Sequence, residues 1–545
     1  MVIYNLIDRP WISIISTRGP EQVGLREAME RAHECQLALV DPLQLAALLR
    51  QVVLPVVVDA CGLPRDYAEW ADRFELGRLD SAATSAYLDE HHDRFDLFHP
   101  EHPFGQVAGL EALNHETRPV SLLIPAIASG NNVPLFSART EADNLGLSAG
   151  EAALAMLATQ CWDTSGIKTG AVGDPLSAHG KTMGNPVGCA GRLGLLIPWA
   201  DTLFATLMLN LPVRAGLLAR DDSPVWRRPE HVGPGWETRP ARGLLDLWTW
   251  QSRRIRLVQP DDAEGEITRV VLTAGDRLSL WPSDVEPHCM RRVDVDASDG
   301  QVKRRPQRHR SDRALWQGLP GLLALDAAGR MPGPGETVTS SLILQLADLV
   351  AEGRLPEGLP IQVLAIGVEY GNQQAVIENV IVDSVPLPMA ALTPDPALRD
   401  AIVKVARMSD GLRMAIGQLA ADLRRASGAS QPEFGSAESL LGRLDPAVRE
   451  FLARLQASPL SYMEALDQWM ATAESIAFEV AEPMLAAVSP SAFRGRRDER
   501  AKPDAAKGNA EWWHRAATAE MQYRRKVHQT LGHREKAQLA AGGAK

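Results

Sequence analysis

From Thr393 to its end the chain is periodic and rich in Ala, Leu, Arg and Glu, whereas the part before it is broken by Gly and Pro into short runs. That contrast dictates two regions built on different principles. The helical spacing predicts four helices, over Thr393–Ser427, Ser436–Ser458, Leu460–Ser489 and about residues 504–539. Breaks fall at Gly428–Pro432, Pro459 and Pro490–Pro503. Long helices with short connections pack as an antiparallel four-helix bundle. The expected fold class is α+β. A large, mixed, loop-rich domain over 1–388 precedes the bundle over 389–545, with Pro386–Pro396 as the boundary.

Within the first region, Trp11–Ile15, Arg254–Val258 and Val270–Leu272 have the β-branched texture of strands. Ser148 followed by Glu151 is a capping box before the apolar helix that runs on from Ala152. Asp41 and Pro42 are N-cap and first residue of a buried helix. Long Gly/Pro segments at 125–147, 163–198, 220–242 and 327–336 exceed about fifteen residues or approach it, a length that usually marks function. Ile361–Tyr370 and Ala375–Asp383 are two β-branched runs joined by Gly371-Asn372-Gln373-Gln374, which predicts a β-hairpin with an amide-bearing tip. By itself such a tip is equally a solvent-exposed turn.

Composition narrows the setting. At 45% apolar and 23% charged residues the chain matches ordinary globular proteins. Five scattered cysteines without a C-x-x-C fit a reducing cytosol and argue against a zinc ribbon or disulfide scaffold. The N-terminus has no signal-peptide pattern. Leu43–Cys61 is interrupted by Gln44, Arg50, Gln51, Pro55 and Asp59, which reads as too polar for a membrane span. A cytoplasmic protein without a membrane partner is expected. The net charge of −11 excludes bulk coating of nucleic acid but not a local basic path. Two basic clusters stand out. From Arg494 to Lys545 there are 13 Lys/Arg against six Asp/Glu. Arg291, Arg292, Lys303, Arg304, Arg305, Arg308, Arg310 and Arg313 form the second.

Eight glycines crowd between Gly166 and Gly194, in a stretch that also holds Lys168 and Gly180-Lys181-Thr182. The GKT is not a phosphate-binding P-loop. Six residues separate Gly173 from Gly180 where that motif needs four, Asp174 brings negative charge, and Pro175 removes a donor. His91, His92, His99, His102 and Glu101 are conceivable metal ligands and leave a metal-dependent hydrolase as the rival reading. His99-Pro100-Glu101-His102-Pro103 is nevertheless a proline-bracketed turn, not a helix that would align two histidines. Asp294-Val295-Asp296 reads as a solvated strand face beside Arg291 and Arg292. No nucleophile–base pattern appears and no cofactor is implied.

Taken together, these segments resemble the large subunit of the type I-E CRISPR Cascade surveillance complex, the CasA family. The marks are Asn5-Leu6-Ile7-Asp8-Arg9-Pro10-Trp11-Ile12, Phe95 through Gln106, Ser129-Gly130-Asn131-Asn132, the glycine stretch from Gly166-Ile167-Lys168, and Tyr370 through Ala375. Their order, with the length and the terminal helices, extends the likeness over the whole chain.

The resemblance implies a non-catalytic subunit that reads the protospacer-adjacent motif (PAM) on double-stranded DNA, starts strand separation, and helps recruit a helicase–nuclease. Its partners would be that DNA, the guide-RNA ribonucleoprotein and the other Cascade subunits. By likeness, the minor-groove loop falls at Gly166–Gly173, with Lys168, Thr169, Gly170 and Ala171 nearest the DNA. Glycine offers the least bulk to a groove about 6 Å wide. Gln373, Gln374 and Ala375 match the strand-separating wedge. Asn131–Asn144 matches a loop near the PAM and the guide RNA, with Asn131, Asn132 and Phe136 as candidates. One departure is visible: 259–266 is acidic and lacks the lysine finger that better-known members carry, leaving Arg269 or Arg253 as candidate replacements.

Overall fold

The computed structural model describes residues 3–127, 135, 137–140, 142–213, 219–228, 233–260, 265–279, 285–295, 300, 302–325, 333, 335–356, 358–428, 435–497 and 513–532. The chain divides into two compact units. One holds Met1–Arg313 and Ala324–Ser384; the other holds Ala314–Leu323 and Val385–Lys545.

The first unit mixes helices with several small sheets. Its centre is apolar helix. Pro42–Cys61 is helical throughout, with a π-helical turn at Leu49–Val53, and Asp41 caps it by accepting from the Leu43 amide at 2.8 Å. By length and composition this helix would suffice to cross a membrane, so its polar residues do not exclude it as expected. Its burial does that work: the apolar stretch is 83% buried inside the fold. Arg50 and Gln51, the residues that break the pattern, face inward. Arg50 pairs with Glu286 at 2.7 Å, both side chains almost fully buried. Burial alone would push the Glu286 carboxyl up; the Arg50 and His288 partners instead hold it well below its ordinary range. Beside this helix packs Ala149–Trp162, started by the expected capping box of Ser148 and Glu151 and buried along almost its whole length.

The sheets among the described residues include three that bear on the site. Ile12–Ser16 pairs antiparallel with Gly19–Val23 and with Cys35–Leu37. Arg269–Ala274 is the hub of a five-stranded sheet, bonded to Arg118–Pro119, Arg253–Leu257 and, in parallel, Gly166–Thr169, which in turn pairs with Lys181–Asn185. Gln362–Tyr370 lies between Ile377–Pro386 and Leu195–Trp199. The segment 163–198, expected as a long loop, therefore contributes to two sheets.

The second unit is largely helical. Pro396–Ser427, Ser436–Ala457, Tyr462–Ala486 and Ala516–Thr530 are its long helices among the described residues. The first is capped by Asp395 and ends on Gly428 in the left-handed conformation, and it packs against each of the other three. Trp316, from the short segment that joins this unit, donates its indole N–H to Asp445 at 2.8 Å.

The glycines between 166 and 194 serve two separate ends. Gly188 is a close approach: a Cβ there would lie 2.4 Å from backbone carbon and oxygen of Cys161. Gly180 has open space around it but φ +77°. Gly188→Ala should therefore cost about 1–3 kcal/mol through backbone displacement, and Gly180→Ala about 1 kcal/mol through conformational strain alone. Thermal unfolding of the two variants checks the order; an equal or reversed ranking would contradict it.

Candidate nucleic-acid interface

The glycine stretch forms an antiparallel pair of strands, Gly166–Thr169 and Lys181–Asn185, and the connection between them ends in a turn that the sequence did not announce. His179 and Gly180 both have positive φ, +49° and +77°. The Ala178 amide donates to the Lys181 carbonyl at 2.9 Å and the Lys181 amide returns to Ala178 at 3.0 Å. Two central residues of positive φ between such a pair make a type I′ turn, whose twist suits a hairpin. The GKT thus begins in this turn and leads directly into the second strand.

Strand alternation then sorts the side chains. Lys168 is opposite Thr182 and Thr169 opposite Lys181; cross-strand partners share a face, and neighbours along a strand alternate. Thr182 is buried, so Lys168 shares the inward face. Its ammonium sits 2.6 Å from Asp163 Oδ2 with the side chain only 13% exposed. Burial lowers the Lys168 pKa, with Asp163 opposing. Burial would raise Asp163, but Lys168 and Arg253 together hold its carboxyl below the ordinary value. Lys168 is therefore not presented to a phosphate here. Gly170 and Ala171 are also buried. A Cβ on Gly170 would lie 2.7 Å from Ser177 Oγ and 2.8 Å from Leu113, and Ala171 joins a cluster with Val107, Leu110, Ala112 and Val271. Of the four residues expected nearest the DNA, Thr169 alone keeps a partly open side chain outside this packing. The outward face carries Ile167, Thr169, Lys181 and Met183, with Ile167 and Met183 more than half exposed. Lys181 has no ion pair among the described residues. The sequence alone gives it no role of its own beside the groove-facing loop; the register, with Lys168 across from buried Thr182 and Lys181 across from Thr169, is what turns the two lysines to opposite faces.

Arg253 is almost fully buried and is no surface finger. Besides Asp163, its guanidinium donates to the carbonyls of Thr164 and Pro186, each at 2.8 Å, and of Ser252 at 2.7 Å. Arg269 is exposed but held by Thr117 Oγ1 at 2.9 Å. Residues 261–264 of the acidic segment lie outside the described residues, as do Asn131, Asn132, Phe136 and Asp296.

The amide-tipped hairpin forms as expected, with strands Gln362–Tyr370 and Ile377–Pro386. Its tip is a single tight turn, Asn372–Gln374, in which Gln373 and Gln374 have φ +54° and +59°. Left-handed backbone at two non-glycine residues costs about 1–3 kcal/mol each and persists only when the surroundings hold it. Ser165 does the holding: its amide donates to the Gln374 carbonyl at 2.9 Å and its hydroxyl to the Gln373 carbonyl at 2.6 Å. Ser165 immediately precedes the glycine strand, so the two elements that the sequence analysis singled out are bonded to each other. Gln373 is exposed, while Gln374 and Ala375 are half-buried.

The histidine-rich turn is structural. His99 Nδ1 accepts from the amides of Glu101 and His102 at 3.2 and 3.0 Å, and His92 pairs with Asp8 at 2.8 Å. Among the described residues no three His, Cys, Asp or Glu side chains gather as a metal site. On the basic strand Val302–Pro306, Arg305 and the neighbouring Arg292 flank Asp294 at 3.8 and 3.4 Å, which gives that aspartate a salt-bridge role.

Known proteins share this architecture. The sequence pattern of the family described as CRISPR-associated protein Cse1 matches residues 5–480. The chain belongs to the Cse1/CasA family. A CasA/Cse1 protein of Thermus thermophilus is 29% identical over 431 residues, 78% of each chain. The crystal structure of Thermobifida fusca Cse1 superposes with a TM-score of 0.82 at 30% identity, covering 97% of this chain and 98% of that one. Cse1 from Acidimicrobium ferrooxidans gives 0.79 at 26%, over 98% and 99%. A chain of a solved CRISPR RNA-guided surveillance complex shares the fold, with a TM-score of 0.65 at 20% identity and coverage of 97% and 100%.

Removing Asp163 leaves two buried cations facing each other, so Asp163→Asn should destabilise the protein by about 3–5 kcal/mol at neutral pH. Lys168→Gln should cost much less, because Asp163 keeps Arg253. The folded Asp163 pKa is depressed, so its contribution is present above the unfolded value near 3.8 and is lost as pH falls through the folded value. The stability gap between wild type and Asp163→Asn should therefore narrow in acid. Denaturant unfolding from pH 7 downward measures it; a gap that is small at pH 7, or constant into acid, would contradict the assignment.

Proposed function

We propose that this chain is the non-catalytic large subunit of a type I-E Cascade complex, in which the glycine hairpin Gly166–Asn185 meets the minor groove of the PAM and the tip Asn372–Ala375 parts the first target base pair. The observation that carries this reading is the pair of hydrogen bonds from Ser165 to the Gln373 and Gln374 carbonyls, which couples a narrow hairpin to an amide tip.

Each part suits its task physically. The outward face of the hairpin combines the hydroxyl of Thr169 and the ammonium of Lys181 with exposed Ile167 and Met183, a mixture of polar and apolar contact that minor-groove proteins use. Groove readout of this kind tolerates several related motifs, because the minor-groove pattern is degenerate. Lys181 supplies the cation for a phosphate or a groove acceptor, while Lys168, Gly170 and Ala171 set the hairpin's position from within. At the tip, Gln373 offers donor and acceptor groups without charge, which replaces the hydrogen bonds a parted base pair loses. Opening a step costs a few kcal/mol, offset by contacts to the separated strands. The helices of the second unit would form the antiparallel bundle that docks against other subunits, and a helicase–nuclease would act on the opened DNA. Loop 131–144 remains the proposed neighbour of the guide RNA.

In the assembled complex, Gln373→Ala/Gln374→Ala should bind PAM-bearing duplex within about threefold of wild type yet open the first target pair at least tenfold more slowly, read by 2-aminopurine fluorescence. Unchanged opening would remove the wedge. Lys181→Ala should weaken duplex binding more than Lys168→Gln does and reduce the salt slope by about one; the reverse order would return the groove contact to Lys168.

A further inference from the structure

Two arginines flank Tyr370, the residue that leads into the amide tip, with no carboxylate pairing either one among the described residues. Arg308 places its guanidinium over the Tyr370 ring, 5.6 Å from the centroid. Its polar partner is the side chain of Gln374, which, with its carboxamide oxygen turned toward the guanidinium, accepts from Nη2 at 3.0 Å and Nη1 at 3.2 Å. Tyr370 is itself fixed, donating its hydroxyl to the Trp162 carbonyl at 2.8 Å. Gly191 presses against that hydroxyl so closely that a Cβ would lie 2.3 Å from it, which brings the next residue, Arg192, to the same tyrosine. Arg192 is exposed. Burial lowers the Arg308 pKa, Tyr370 opposes, and the like charge of Arg192 adds to the lowering.

In a chain of net charge −11, two neighbouring guanidiniums without an acid partner are an anion site. A neutral amide oxygen is a weak occupant of such a site. Hydrogen bonds from a guanidinium to phosphate are shorter and roughly twice as strong as those to a neutral acceptor, and a guanidinium fork matches two phosphate oxygens at once.

We propose that Arg308 and Arg192 bind a backbone phosphate of the target DNA, and that Gln374 occupies Arg308 until that phosphate arrives. The exchange frees the Gln374 carboxamide for a parted base at the moment the strand is captured. This rests on the wedge reading and adds to it a charged site that keeps the opened strand from re-pairing.

The test uses the assembled complex and two PAM-bearing duplexes, one fully paired and one mismatched at the first two target positions. Arg308→Ala should weaken binding of the mismatched duplex about tenfold and lower its salt slope by about one. Arg308→Lys should recover part of the affinity by keeping the charge. Exposed Arg192→Ala, which leaves the Gln374 contact in place, should show the same slope change with a smaller loss. Slopes and affinities equal to wild type for both alanine variants, in complexes that assemble normally, would overturn the site. Equal weakening of complex assembly on guide RNA before any DNA is added would also overturn it, since the phosphate would then be RNA's. If Gln373→Ala/Gln374→Ala opens DNA normally, the wedge reading falls; if that variant fails to open while both arginine variants behave as wild type, only the phosphate site falls.

Discussion

Asp163 is the residue on which the arrangement of the glycine strands depends. It ends the helix Ala149–Trp162, its carbonyl accepts from the Gly188 amide at 2.8 Å, and its carboxylate is shared by Lys168 and Arg253. One buried anion thus ties a core helix, the glycine strand, the return of the hairpin and the strand Arg253–Leu257. Two cations on one carboxylate in a low-dielectric setting tolerate no loss of that partner. The junction turns Lys168 inward, and strand alternation then turns Lys181 outward. A charge that at first sight belongs to binding belongs to architecture, and its neighbour across the strands is the one left facing outward.

The amide tip shows the complementary economy of means. Two consecutive glutamines in left-handed backbone would relax if left alone. Ser165 bonds both carbonyls and Arg308 takes one side chain, so the strain is held from two directions by residues far apart in sequence. A tip fixed in this way presents Gln373 at a set place and angle relative to the glycine hairpin. Positioning of that kind matters where a base pair must be met at one step from a motif read by another element.

Much of this is legible in the sequence alone. Capping residues at Asp41 and Ser148, the amide-tipped hairpin, the histidine turn and the change to long helices after Pro386 are local signals, set by propensity and by side-chain bonds within a few residues. The interface is legible as segments but not as surfaces. Which lysine faces outward depends on the register between the two strands and on Asp163; that Arg253 is buried depends on carbonyls of Thr164 and Pro186 reaching it. No periodicity in one strand reports such tertiary partners. The His179–Gly180 turn escapes sequence reading because type I′ turns are signalled most strongly by Asn-Gly or Asp-Gly. The polar residues of the apolar run Leu43–Cys61 do not decide its fate, because its place in the core rests on the partners those residues meet, above all Glu286.

The central claim is that the glycine hairpin and the amide tip act as one body on adjacent steps of the same duplex. Photo-cross-linking from residue 181 and, separately, residue 373 in the assembled complex tests it most directly. The account predicts cross-links from 181 to PAM nucleotides and from 373 to the first target base pair, on the same bound DNA. Cross-links from 181 only to protein, or from the two positions to DNA segments far apart, would contradict it.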